Sequence, residues 1–161
     1  MAEKCPVKVH AHHVAIFTTD LDRAIAWWDK MFGFKLVFRN DFPLPDGGLS
    51  PMAWVKGENI YIELYGYPEK GLPAPDQYWG TLGTKHVCIC CSDEDFEPLV
   101  EHLKENGVEF TMRHKWEYPI TSKPNGNKVA FVLDPDGNIV EIQEDFTPEL
   151  YGEDRIDFRT K

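Results

Sequence analysis

Several features that define whole classes of proteins are absent or scarce in this 161-residue sequence. No apolar stretch follows Met1, and no apolar run is long enough to cross a membrane, so we expect a soluble, cytoplasmic chain with no membrane partner. Basic residues are few, since 17 Lys and Arg stand against 27 Asp and Glu, for a formal charge of −10. This balance argues against the clustered basic face that nucleic-acid binding requires.

Cysteine is also scarce, and its spacing is typical of neither a disulfide framework nor a zinc knuckle. The four cysteines are Cys5, Cys88, Cys90 and Cys91. Residues one or two positions apart on a strand cannot readily form a disulfide, and the C-x-x-C spacing of a zinc knuckle is absent. The pattern argues against a secreted disulfide framework and predicts small core residues that stay reduced.

The sequence repeats one pattern in its two halves. Hydrophobic residues make up 42% of the chain, enough for one domain or for two small fused modules. The pattern H-V-x-I-x-x-x-D begins at His13 and again at His86. Each copy leads into apolar residues at helical spacing that stop at a glycine, Gly33 or Gly107. We predict a helix in each half, with the aspartate that closes each pattern as its N-cap.

Three strand-like runs follow each predicted helix. They cover 35–38, 52–56 and 60–65 in the first half, and 108–112, 128–133 and 139–144 in the second. Each half therefore has the order β-α-β-β-β, and we predict an α+β protein whose two tandem βαβββ modules form a cupped mixed sheet. The predicted divisions are a first module at 8–66, a linker or insert at 67–84, a second module at 85–144 and a C-terminal tail at 145–161.

Three long segments fall outside the repeat and are rich in proline, glycine and aromatic residues. They are 40–51, 66–84 and 113–127. Loops this long in a compact domain usually carry function, so we predict lids or interface segments. They contribute further aromatic candidates for a pocket: Trp79, Trp116 and Tyr118.

Strand alternation places four polar side chains opposite the helices. His13 and His86 lie in the first strand of each half, and Glu63 and Glu141 lie at equivalent places in the last strand. A carboxylate in an apolar strand is costly to bury unless a cation compensates it. Imidazole and carboxylate are suitable ligands for Zn, Ni, Co, Mn or Fe(II). We therefore predict one divalent metal ion, of unspecified identity, bound by these four residues.

A substrate pocket should surround this site. The residues predicted to line it are Phe17, Trp54, Tyr61, Tyr65, Cys88 and Phe131. For each of them, ordinary packing in a core or interface is an equally good interpretation. His12 has the helix-facing parity, and we interpret it as structural or exposed. An aromatic pocket favours an apolar or aromatic substrate over a highly charged one.

These residues resemble the vicinal oxygen chelate superfamily, which includes glyoxalase I, methylmalonyl-CoA epimerase, extradiol dioxygenases and bleomycin- or fosfomycin-resistance proteins. The resemblance covers about residues 8–144. Its motifs are HHVAIFTTDLDRAIAWWDKMFGF from His12, then IEL, KHV and AFVLDPDGNIVE. It implies the ligands His13, Glu63, His86 and Glu141, a set that looks like that of glyoxalase I. The epimerase usually has glutamine at the place of Glu63, and metal-free resistance proteins generally lose these ligands.

The resemblance implies a metal-dependent glyoxalase-like enzyme, an isomerase, epimerase or lyase. It would transfer a proton next to a carbonyl of a small molecule chelated through vicinal oxygens, with Glu141 or Glu63 as base and Glu141 favoured by analogy. The alternatives are an Fe(II) extradiol-type dioxygenase, which uses two His and one carboxylate, and a non-catalytic ligand-binding or resistance protein. Exposed sheet edges favour a homodimer, and the site is expected either within one chain or across the dimer.

Overall fold

The structure is a computed structural model that describes residues 11–43, 47–66, 84–111, 120–122 and 128–144, with the backbone alone for 120–122. The chain forms two compact units, Met1–Gly71 and Leu72–Lys161. In its described part each unit has one four-stranded mixed sheet and one helix. The predicted α+β fold of two repeated βαβββ units is therefore confirmed. None of the described helices is long and apolar enough to span a membrane.

Unit 1 brings its first and last strands together. Its elements are β1 (His13–Thr18), α1 (Leu21–Phe32), β2 (Lys35–Pro43), β3 (Leu49–Lys56) and β4 (Tyr61–Gly66). The strand order is β1-β4-β3-β2, with β1 and β4 parallel and the other neighbours antiparallel. Side chains from the two ends of the repeat can therefore lie side by side on one face of the sheet.

Helix α1 begins and ends where the sequence predicts. The Asp20 carboxylate accepts a hydrogen bond from the Arg23 backbone N–H at 3.0 Å. Gly33 ends the helix with φ of 72°, a left-handed conformation that glycine adopts without a steric penalty. The buried stripe of the helix consists of Leu21, Ala24, Trp28 and Met31. It packs on the sheet face where Ile62 and Leu64 are fully buried.

Unit 2 repeats this topology. Its elements are β5 (His86–Cys91), α2 (Asp93–Glu105), β6 (Ile120–Ser122), β7 (Lys128–Leu133) and β8 (Ile139–Glu144). The order is β5-β8-β7-β6, and β5 and β8 are the parallel pair. The β7–β8 turn is fixed by Asp134, whose Oδ1 accepts the backbone N–H groups of Asp136 and Asn138 at 2.9 and 2.8 Å.

The N-cap of α2 corrects the sequence prediction. Ser92, and not Asp93, is the cap, because its Oγ accepts the Asp95 backbone N–H at 3.2 Å. Asp93 is instead the first helical residue. Its carboxylate lies in the first turn, where a negative charge interacts favourably with the helix dipole.

Two predicted boundaries are also wrong. The segment 40–51 is not a long loop, since β2 extends to Pro43 and β3 begins at Leu49. The predicted strand at 108–112 is reduced, among described residues, to an isolated bridge between Phe110 and Val132. The predicted inserts at 66–84 and 113–127 lie outside the described residues, apart from positions 66 and 84 and the short strand β6.

Candidate metal centre

The first predicted pair of ligands lies together on the β1–β4 strand pair. Glu63 on β4 is directly opposite Ala15 on β1. His13 is the side chain that precedes Ala15 on the same face of β1. The His13 Nε2 atom is 3.3 Å from Glu63 Oε2, and the two side chains are 37% and 10% exposed. We call His13 and Glu63 the first pair. A nearly buried carboxylate is thus placed beside a half-exposed imidazole.

Unit 2 contains an equivalent second pair, His86 and Glu141. Glu141 is directly opposite Cys88 in the β5–β8 register. The His86 Nε2 atom is 2.9 Å from Glu141 Oε2, with side chains 33% and 10% exposed. The repeat in the sequence therefore produces the same two-residue arrangement twice.

The chemistry of these donors fits a divalent metal ion. Each pair directs one imidazole nitrogen and one carboxylate oxygen to the same place, and these are the atoms that Zn, Ni, Co, Mn or Fe(II) would take as ligands. Within the part of the chain that the structure describes, no group of three or more His, Cys, Asp or Glu is arranged so that it could hold a metal ion. Each unit by itself thus supplies two candidate ligands, and a four-ligand site requires two pairs.

Glu63 has two further polar partners in unit 1. Trp54 faces it directly across the β3–β4 ladder, and the indole Nε1–H donates to Glu63 Oε1 at 2.9 Å. The Tyr65 hydroxyl interacts with the same carboxylate. Burial, followed by this interaction and the Glu63 charge, raises the pKa of Tyr65 above its usual value of 10.0. Tyr65 therefore remains a neutral donor at physiological pH.

The surroundings of Glu141 differ from those of Glu63. Phe131 is the residue directly opposite Glu141 on β7, where unit 1 has Trp54. Its ring lies 6.1 Å from the His86 ring in an edge-on arrangement. Cys88 and Cys90 are exposed, which corrects the expectation that the cysteines are core residues. They alternate with Val87 and Ile89 and so share the face of His86.

His12 is part of this neighbourhood, which the sequence interpretation missed. Its ring stacks on Tyr61 with centroids 4.8 Å apart and lies 5.2 Å from the Trp54 ring. Its Nδ1 is 3.0 Å from His13 Nδ1, so one imidazole can donate to the other. His12 is exposed, as expected, but it precedes β1 and does not follow the strand alternation. The His-His dipeptide just before a strand was the available signal.

Further aromatic side chains of unit 1 contact Tyr65. Phe17 is 60% exposed, and its ring lies 5.7 Å from Tyr65. Phe42, from a segment predicted as loop, lies 5.5 Å from Tyr65 on the other side. The predicted lining residues thus form two contacting pairs of rings beside the first pair, Phe17 with Tyr65 and Trp54 with Tyr61. Trp79, Trp116 and Tyr118 lie outside the described residues.

The family of the chain follows from a comparison with protein-family models. Residues 10–142 match the model of the Glyoxalase/Bleomycin resistance protein/Dioxygenase superfamily. The chain belongs to this superfamily. The resemblance to vicinal oxygen chelate proteins is confirmed. The chain is also 32% identical to a lactoylglutathione lyase of Arabidopsis thaliana over 142 residues, 86% of this chain and 46% of that protein. It spans about half the length of the curated plant relatives that it matches.

Solved structures of superfamily proteins have the same fold. A glyoxalase family protein from Enterococcus faecalis superposes with a TM-score of 0.65 at 24% identity, covering 84% of this chain and 97% of that one. The fosfomycin resistance protein FosX of Listeria monocytogenes, complexed with Mn(II) and sulfate, superposes with a TM-score of 0.61 at 15% identity, covering 89% and 97%. At these identities the superpositions establish the glyoxalase fold, and one protein with this fold has been crystallised with a divalent metal.

Proposed function

We propose that this chain is a metal-dependent glyoxalase-like enzyme, an isomerase or lyase that moves a proton next to a carbonyl of a small-molecule substrate. The observation that carries the proposal is the duplicated His–Glu pair, with Nε2 and Oε2 at 3.3 Å in the first pair and 2.9 Å in the second. Both carboxylates are nearly buried, an arrangement that is costly without a compensating cation. The relationship to a lactoylglutathione lyase supports the same reaction class.

The ligands of the proposed ion are His13, Glu63, His86 and Glu141. A divalent ion in this site would act as a Lewis acid for negative charge that develops on two adjacent substrate oxygens. Two pairs are needed, and we propose that they come either from one chain or from the two chains of a homodimer.

The proton is carried by a glutamate of this chain. We propose that Glu141 takes it from the carbon next to the carbonyl and returns it to the neighbouring carbon, with Glu63 as the second candidate base. One C–H bond breaks and another forms, while the carbonyl and hydroxyl groups exchange positions, so no oxidant is required. A hemithioacetal or another α-hydroxy carbonyl compound has the two vicinal oxygens that this reaction needs. The exposed aromatic face beside the first pair suits an apolar substituent on that substrate.

Metal content and proton exchange test the proposal together. The purified protein, Glu141→Ala and the control Glu101→Ala, an exposed position on α2, are analysed by plasma mass spectrometry. Each is then supplied with the hemithioacetal of methylglyoxal and glutathione in D₂O. We expect one bound ion in the wild type and the control, and less in Glu141→Ala. The Glu141 carboxyl proton can exchange with D₂O before it returns to carbon. We therefore expect product that carries deuterium, detected by NMR, in the wild type and the control alone, and a chelator should abolish it.

The other outcomes separate the alternatives. Stoichiometric iron with oxygen consumption in place of proton exchange would favour the Fe(II) dioxygenase. Tight ligand binding without turnover, unaffected by Glu141→Ala, would favour a binding or resistance protein. Wild-type protein that takes up no metal after reconstitution would reject the proposed catalytic site.

A further inference from the structure

The two His–Glu pairs differ in the residue that faces each glutamate on the adjacent antiparallel strand. In unit 1 this residue is Trp54, opposite Glu63, and in unit 2 it is Phe131, opposite Glu141. The positions are equivalent in the repeat, but an indole carries an N–H donor and a phenyl ring carries none. Of the two glutamates, only Glu63 can therefore accept a hydrogen bond from the residue at this position.

The two Glu63 oxygens contact different residues. Oε1 accepts the indole N–H at 2.9 Å, while Oε2 is the atom 3.3 Å from His13 Nε2. A hydrogen bond to a charged carboxylate is stronger than one between neutral groups. Rotation of the Glu63 carboxylate would break this bond, so Oε2 stays directed toward the imidazole.

The indole is itself fixed by surrounding rings. Trp54 lies 5.2 Å from His12, 5.2 Å from His13 and 5.8 Å from Tyr61, measured between ring centroids. Phe38, on the neighbouring strand β2, lies 6.3 Å away. Aromatic pairs at these separations are attractive beyond their area of contact. A swing of the indole away from Glu63 would lose several such contacts at once.

We propose that Trp54 is a positioning residue that holds Glu63 with Oε2 directed toward His13, so that the first pair is arranged as a two-atom metal clamp before any ion arrives. Its relevance to metal binding rests on the proposed function. Residues that hydrogen-bond to metal ligands typically change metal affinity about 10–100-fold when they are replaced. In this proposal Trp54 contacts neither the ion nor the reacting carbon, so its effect on metal binding is exerted through Glu63.

The variant Trp54→Phe removes the indole N–H and retains an aromatic ring at this position. We expect its metal dissociation constant, measured by competition with a chromophoric chelator, to rise about 10–100-fold. Activity should return when the metal concentration is raised, which damage to the fold would not allow. Trp27→Phe makes the same chemical change on helix α1, where Trp27 contacts Trp28 and Phe32, and should leave the constant unchanged.

A second measurement needs no metal. The indole ¹H–¹⁵N resonance of Trp54 is assigned by its absence from Trp54→Phe. In metal-free protein we expect it to move upfield in Glu63→Ala, which removes the acceptor, and to stay in place in Glu141→Ala. This measurement uses a variant in which Trp54 is intact, so it does not depend on how well Trp54→Phe folds.

The two measurements distinguish the failure of this inference from the failure of the proposed function. If the chemical shift of the Trp54 indole does not change in Glu63→Ala, the positioning role is overturned. Wild-type metal affinity in Trp54→Phe would also overturn it. Wild-type protein without metal affinity would refute the proposed function, and the response of the indole to Glu63→Ala would then decide the positioning role by itself.

Discussion

Metal binding should raise the thermal stability of the protein, and the gain should disappear when either His–Glu pair is damaged. An ion that binds only the folded chain stabilises it by RT ln(1 + [L]/Kd), about 2.7 kcal/mol at a free concentration of 100 Kd. For a chain of this size each kcal/mol shifts the melting temperature by about 2–4 °C. The expected rise is therefore about 5–10 °C.

We expect the two pairs to need little rearrangement to bind an ion. In each pair the imidazole and the carboxylate already lie within 3.3 Å, so little side-chain ordering remains to oppose binding. An ion bound there would replace a His–Glu contact that contributes about 1 kcal/mol or less for half-exposed imidazoles. Loss of one glutamate ligand removes the ion's hardest donor from that pair. We expect the shift to fall to near zero in both Glu63→Ala and Glu141→Ala.

The assay is thermal unfolding by circular dichroism, on metal-stripped protein with and without Ni(II) or Zn(II). Glu101→Ala is the control, and each variant is compared at the metal concentration that saturates the wild type. A full shift in either glutamate variant would show that its pair is not a ligand. A shift lost only in variants of one unit would show that one pair suffices, contrary to the four-ligand proposal.

Three further predictions concern the assembly and the fold. If the site forms across a dimer, a chain lacking the first pair and a chain lacking the second pair should recover proton-exchange activity when they are refolded together. The mixed dimer would then contain one complete site. No activity in a verified mixed dimer would place the site within one chain. Burial raises the pKa of Asp134 above 3.8. As pH rises from 3.8 through the raised value, the wild type should therefore lose stability relative to Asp134→Asn, measured by urea unfolding at several pH values. A difference in unfolding free energy that does not change with pH would contradict the raised pKa. Ser92→Ala should cost about 1 kcal/mol through the lost N-cap, and Asp93→Ala should cost less; the reverse order in urea unfolding would restore Asp93 as the cap.

Strand alternation was sufficient to predict that the two members of each candidate His–Glu pair lie on the same face of their sheet. The Val and Ile residues of β1 and β5 occupy one parity, so the opposite parity of His13 and His86 could be read directly from the sequence. The same rule placed Glu63 and Glu141 with them. That His12 also joins this group could not be predicted, because it lies one residue before the strand, where alternation gives no direction.

Proline and inserted segments account for the wrong boundaries. Pro43 and Pro51 indicated a loop, but Pro43 ends β2 at the sheet edge, and the described β3–β4 register begins only at Met52. Neither proline therefore has to donate to a central ladder. In unit 2 the edge of β7 is shared by Phe110 and the separate strand β6. A single strand-like run in the sequence cannot reveal such a division.

The contact between Trp54 and Glu63 gives the protein a built-in optical probe. An indole that donates to one ligand and lies 5.2 Å from the ring of another would have its fluorescence quenched by an open-shell ion such as Ni(II) or Co(II) at the first pair. Subtracting the emission of Trp54→Phe would isolate this signal from that of the other tryptophans. Metal arrival at unit 1 could thus be followed in real time without a label.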